Sequence, residues 1–225
     1  MRRLAQFLMN ILCFAVSIVV CIASGSSHTQ AGERTLPDTC TYEMQVWNVN
    51  MRGNGQARMV RHPYIDLTPA EMDINTGCTV CSEDQILLDV PSIQPFSVCH
   101  RLAPRVRTVV QDLLRSGAPL RTIIGYHVIK SRGMVDMNGN RTEFSNHSYG
   151  TAIDINPEQN GLYDNCITFG SKCRLIRGGE WVPGASGTLT EEGQIVLAFK
   201  KAGFRWGGEI AGKQKDFMHF SLTGY

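Results

Sequence analysis

Hydrophobic and polar positions alternate from Tyr42 to Val49, which predicts a strand, and Ala57 to Arg61 is placed to pair with it. Ile86 to Val98 reads as one or two strands broken at Pro91 and Pro95. From Leu102 the period changes. Leu102, Val106, Val109, Val110, Leu113 and Leu114 form one apolar stripe that ends at Gly117, so an amphipathic helix packs there. Arg121 to Ile129 is rich in strand formers, and Asn138-Gly139 marks a hairpin turn between Val135 and Phe144. Ala152 to Asn156 alternates again, with Ile153 and Ile155 on one face and Ala152, Asp154 and Asn156 on the other. Glycine-rich loops fill 160–187. Thr188 and Glu191 predict a capping box for a helix reaching about Ala202, with Gly203 as its C-cap. Phe204 to Gly208 and Phe217 to Leu222 close the chain as short strands. The pattern is α+β, with helices packed on a mainly antiparallel sheet.

The N-terminus follows a different rule. Arg2 and Arg3 precede an apolar run from Leu8 to Ala23, small residues follow at Ala23, Ser24 and Gly25, and the first acidic residue is Glu33. That order is expected of a secretory signal peptide over 1–25, with a polar, flexible leader over 26–39. An uncleaved membrane anchor is the competing reading of the same run. Of eight cysteines, Cys13 and Cys21 fall in the signal. The other six (Cys40, Cys78, Cys81, Cys99, Cys166 and Cys173) form an even set suited to an oxidising compartment. Cys166 and Cys173 bracket one loop and are the first expected bridge. Cys78-Thr-Val-Cys81 follows a turn rather than a strand, which favours a structural role over a thiol-disulfide exchange centre. The full chain carries 22 basic and 20 acidic residues, and without 1–25 the balance is 20 against 20. No strong field for nucleic acid results, and no other segment is apolar enough to cross a membrane.

Two stretches carry candidate chemistry: Ser145-Asn-His147-Ser-Tyr149-Gly150-Thr-Ala152-Ile-Asp154, and Asp216-Phe-Met-His219-Phe. Two imidazoles and one carboxylate are a recurring ligand set for catalytic zinc, with a fourth position left for water. Asp154 lies on the polar face of its strand while Ile153 and Ile155 anchor the other. Gly150 and Ala152 are small enough to let a metal or substrate approach the backbone. His219 alternates with Met218 and Phe220. Asp216 lies close to His219 and could take a proton from an attacking water. Against this, a histidine chosen at random is more often exposed or in a core than a ligand. His62, His100 and His127 receive that plainer reading, with His127 placed on a strand.

The pattern Ser-x-His-x-x-Gly-x-Ala-x-Asp, followed by Trp206-Gly207-Gly208 and by Asp-x-x-His-Phe, resembles the zinc D-alanyl-D-alanine peptidase family, which shares its fold with the hedgehog signalling domain. The resemblance covers about 100–225. It implies a hedgehog/DD-peptidase-like fold stapled by disulfides, with a zinc peptidase domain at 100–225 behind a cysteine-containing, β-rich segment at 40–99. It implies Zn2+ bound by His147, Asp154 and His219, and Asp216 as general base, as in the L-alanyl-D-glutamate endopeptidase branch. It further implies an arginine that steadies the carbonyl oxyanion, with Arg132 the candidate and Arg141 the second choice. Where the family reads Gly-Tyr-Arg, this chain has Gly125-Tyr126-His127. Ser145, Tyr149 and Trp206 are the candidate substrate-binding residues. The expected function is hydrolysis of an amide bond in peptidoglycan peptides by an exported bacterial enzyme, periplasmic or extracellular. The alternative is a wall-binding module of the same fold that cleaves nothing.

Overall fold

The computed structural model describes residues 34–223. The expected signal peptide, most of the leader, and Cys13 and Cys21 lie outside the described residues. The chain from Thr39 to Cys99 forms seven strands: β1 (Thr39–Asn48), β2 (Gly53–Asn54), β3 (Arg58–Pro63), β4 (Met72–Asp73), β5 (Cys78–Thr79), β6 (Gln85–Val90) and β7 (Ile93–Cys99). Helix α1 (Ala103–Arg115) follows, then β8 (Ile123–Ile124), β9 (Val128–Val135), β10 (Arg141–Phe144), β11 (Ala152–Ile155), β12 (Leu162–Asp164) and β13 (Arg174–Arg177). Helix α2 (Gln194–Lys201) precedes β14 (Arg205–Trp206), β15 (Lys215–Asp216) and β16 (His219–Ser221). The α+β expectation holds, and every strand pair is antiparallel except β1 with β9.

Most local expectations survive, but not all. Pro91 marks the turn between β6 and β7, but Pro95 lies inside β7. Pairing there slips between Leu88 and Val90, so the proline's missing N–H falls at a bulge where no ladder bond is required. The capping box at Thr188 is absent. Helix α2 starts instead after Gly193, and the Thr188 hydroxyl is buried without a partner among the described residues. The cause is tertiary. The buried Leu189 gives its N–H to Asn160 Oδ1 at 2.7 Å and accepts Trp181 Nε1 at 2.7 Å, which holds this stretch out of helical geometry. At the other end Gly203 takes φ +88° and terminates the helix as expected.

One antiparallel sheet, β14-β16-β11-β8, has the helices on one face. Ile153, Ile155 and Phe220 are fully buried there, in one core with Val106 and Val110 of α1 and Val196 and Phe199 of α2. Because side chains alternate along a strand, burying Ile153 and Phe220 as a registered pair turns the next pair, Asp154 and His219, to the opposite face. Strand β1 pairs in parallel with β9 from Met44↔Val128 to Val46↔Lys130, joining the early strands to the later chain. A smaller core around Cys40, Tyr42, Met44, Val128 and Phe144 packs where they meet.

Beside that smaller core, Glu71 is buried yet ionised. Its carboxylate accepts hydrogen bonds from Tyr42 Oη (2.7 Å), Thr68 N (2.9 Å), Thr68 Oγ1 (2.7 Å) and His62 Nε2 (2.9 Å). Burial alone would raise its pKa, but these donors outweigh it and bring it from 4.5 down to about 2. A carboxylate depressed by folding stabilises the fold above its unfolded pKa and loses that contribution as pH falls through the folded value. Glu71→Gln should therefore cost on the order of 3 kcal/mol near neutral pH. The difference from wild type should shrink as chemical denaturation is repeated from about pH 6 down to about pH 2.5. A difference independent of pH would mean that the charge contributes nothing.

Three disulfides staple the described residues: Cys40–Cys81, Cys78–Cys99 and Cys166–Cys173. The third is the bridge expected from sequence. Cys78 and Cys81 take different partners, so they form no redox pair. Alkylation without reductant should label none of these six thiols, read by mass spectrometry. Each bridge is expected to contribute about 2–4 kcal/mol.

Candidate metal centre

Asp154 and His219 face each other across β11 and β16 as registered neighbours. His147 comes from the 3-10 turn Asn146–Tyr149, which ends at Gly150 with φ +64°. A Cβ at Gly150 would meet Gln85 Oε1 at 2.1 Å and Cys99 N at 2.5 Å. Its smallness therefore serves close packing behind the turn, not the metal approach expected from sequence. The three side chains converge in buried surroundings: His147 Nε2 to Asp154 Oδ1 is 3.0 Å, His219 Nδ1 to Asp154 Oδ1 is 3.1 Å, and His147 Nε2 to His219 Nδ1 is 3.2 Å.

That triangle suits a metal ion. Donors about 2.0–2.1 Å from a tetrahedral zinc stand roughly 3.3 Å apart, close to the three edges observed. The tautomer also fits. His147 Nδ1 lies 2.9 Å from the Gly125 carbonyl, which can only accept, so Nδ1 carries the proton and Nε2 presents its lone pair to the centre. Asp154 directs Oδ1 to both imidazoles while Oδ2 accepts from an Arg177 terminal nitrogen at 3.4 Å. Burial would raise the Asp154 carboxyl, but the adjacent imidazoles outweigh it and hold it well below the ordinary range. His147, although burial disfavours its charge, is raised by Asp154. His219 is lowered, because burial prevails over its hydrogen bond to Asp154. Among the described residues, these three are the one group of such side chains placed to hold a metal ion.

Comparison with known proteins gives one family match. Residues 138–222 match the model of a family described as D-alanyl-D-alanine carboxypeptidase. This segment is similar to that family. It contains all three converging residues and Asp216, and it bears out the resemblance to the zinc D-alanyl-D-alanine peptidases. No curated protein and no solved structure matches the chain.

The three converging residues open onto a cavity of about 340 Å³. Several structural pieces supply its walls. The sheet β11-β16 brings Asp154 and His219. The small sheet β13-β12-β15 pairs Leu162 with both Arg177 and Asp216, placing them on either side of it. The β9–β10 hairpin and its flanks add Ile129, Ser131, Arg132, Arg141 and Ser145. Asp216 is buried, and its charge acts on His147. Gly207 of the Trp-Gly-Gly motif lies so close beneath it that a Cβ would stand 2.2 Å from the Asp216 carbonyl oxygen.

The expected substrate-binding residues divide. Ser145 lines the cavity, but Tyr149 and Trp206 do not. Tyr149 Oη donates to the Ala70 carbonyl at 2.9 Å, and the buried Trp206 indole donates to the Phe217 carbonyl at 2.7 Å. Both arginine candidates line the cavity. Arg132 is held by Asn146 Oδ1 at 2.9 Å, and Arg141 by the Gly133 carbonyl at 2.6 Å.

Among the cavity residues that sequence reasoning missed are His127 and Arg177. His127 lies between β8 and β9 rather than on a strand, and its ring packs on His147 with centroids 4.6 Å apart. Burial and the His147 imidazole lower its pKa to about 4. Its position directly after Gly125-Tyr126 was the available signal. Arg177 sat within a stretch read as glycine-rich loop. No local pattern marked β13, because its edge is defined by pairing with β12.

Proposed function

We propose that the protein is a zinc-dependent peptidase that hydrolyses an amide bond in peptidoglycan peptides. The observation that carries this reading is the convergence of His147, Asp154 and His219, with Asp216 in the same arginine-bearing cavity and inside the family-matched segment. His147, Asp154 and His219 would hold the ion. When bound, zinc acidifies a water molecule and polarises a peptide carbonyl.

The chain's own groups divide the remaining work. Asp216 accepts the proton of the attacking water and returns it to the leaving amine. The Arg132 guanidinium, fixed by Asn146, offers a charge that cannot be titrated away to the oxygen on which negative charge develops. Arg177 binds the outer oxygen of Asp154, leaving Oδ1 for the ion. Ser145 lines the same cavity and is assigned to peptide binding. The hydrophobic pair Ile153 and Phe220 fixes the strands that aim these groups, so the site is held rigid from below.

The wider assignment agrees with this chemistry. Residues 1–25 are read as a cleaved signal peptide, 26–39 as a leader, 40–99 as a cysteine-containing, β-rich segment and 100–225 as the peptidase domain, on a hedgehog/DD-peptidase-like fold. The three disulfides accord with an exported protein acting at the cell wall. Among the described residues, no helix is long and apolar enough to cross a membrane. Incubation with purified wall fragments, followed by mass spectrometry of the products, is the test. Fragments shortened at one amide bond support the reading. Binding to intact wall without any cleavage would assign the protein to wall binding instead.

A further inference from the structure

The Gly125 carbonyl oxygen faces two imidazoles. His147 Nδ1 lies 2.9 Å from it and His127 Nδ1 lies 3.1 Å from it. A carbonyl cannot donate, so each Nδ1 is the donor and each Nε2 is left as the ring's lone-pair nitrogen. For His147 that lone pair belongs to the metal triangle. For His127 the hydrogen bond through Nδ1 is the side chain's one such bond among the described residues, and the residue lines the cavity.

The ring is held before any ligand arrives. The His127 N–H donates to the His147 carbonyl at 3.4 Å, and the Tyr126 N–H donates to the Ser97 carbonyl at 2.7 Å. The Tyr126 hydroxyl reaches the Val80 carbonyl at 2.8 Å. Anchored backbone and a ring packed on His147 leave little freedom to be lost on binding.

The surrounding cavity is rich in donors. Arg132, Arg141 and Arg177 can only donate. Asp154 is committed to the metal centre and Asp216 to the proton. An extended peptide lying across the site brings amide N–H groups as well as carbonyls, and the N–H groups need acceptors.

We propose that His127 is a substrate-binding residue whose Nε2 accepts a hydrogen bond from a peptide amide N–H next to the bond being cleaved. This inference rests on the peptidase reading above. It assigns to His127 the orientation of the substrate backbone, not a step in the chemistry.

A cycle of protein and substrate changes tests it. Wall peptides are prepared with each amide flanking the scissile bond N-methylated in turn, and wild type is compared with His127→Ala and His127→Gln. One methylation should lower kcat/KM of wild type by about tenfold, chiefly through KM, and should cost His127→Ala almost nothing. Gln can still accept through its side-chain carbonyl, so His127→Gln should recover part of the discrimination. Calorimetric binding of the same peptides to metal-free protein should show the same pairing without turnover. Zinc content, by elemental analysis, should be unchanged in both variants. Equal methylation penalties in wild type and His127→Ala would overturn the proposal. So would loss of zinc from both variants, since His127 would then serve only to hold His147. If wild type cleaves no peptide, the peptidase reading fails, and the calorimetric arm still decides whether His127 reads the amide.

Discussion

Asp216→Asn is expected to lower amide hydrolysis by about two to four orders of magnitude while leaving zinc in place. Asparagine keeps the size and hydrogen-bonding shape of the side chain but cannot take a proton from water. Asp216 lies on β15, held in register with Leu162, and is buried at the wall of the cavity rather than within the metal triangle. Folding and metal content should therefore be close to wild type. Turnover of wall peptides and elemental analysis, run on the same preparation, separate the outcomes. Loss of zinc would make Asp216 a ligand. Full activity with zinc retained would place the base elsewhere.

Removing a ligand should produce the opposite signature. His147→Ala is expected to take bound zinc from one ion per chain to little or none, and hydrolysis should fall to background with it. The physical basis is the triangle itself. Its edges of 3.0, 3.1 and 3.2 Å leave two donors when one is deleted. Two donors do not enclose an ion with an open position as three do. The substitution also removes the donor to the Gly125 carbonyl and leaves the Asp154 charge with one imidazole fewer beside it. A modest loss of stability should accompany metal loss, read as a lower Tm that added zinc does not restore. Retention of one zinc per chain in this variant would sink the ligand assignment. The two variants together thus distinguish a group that holds the ion from one that handles the proton.

Where the decisive information is local, the sequence is legible. The stripe through Val106, Val110 and Leu113 predicted α1, because helical periodicity depends only on residues three and four apart. The alternation around Asp154 predicted both its strand and the face it occupies, because a strand reverses its side chains at every residue. The motif spacing singled out the three residues that converge, and the even cysteine set anticipated full pairing.

Other features depend on partners far along the chain. The start of α2 was set by Asn160 and Trp181 gripping Leu189, against the capping preference of Thr188. The inward commitment of Trp206 and Tyr149 followed from carbonyls that happen to stand within reach of their polar atoms. Which cysteines pair, how the small sheet β13-β12-β15 sets Arg177 and Asp216 about Leu162, and how Gly125 accepts from two imidazoles depend equally on distant contacts.

By itself, then, the sequence determined the α+β pattern, the face on which Asp154 lies and the chemical character of the candidate centre. Only the tertiary structure decided which arginines and which third histidine share the cavity with it. The reason is range. Periodicity and motif are written in neighbouring residues, whereas sheet register and loop closure bring together groups that no local rule relates.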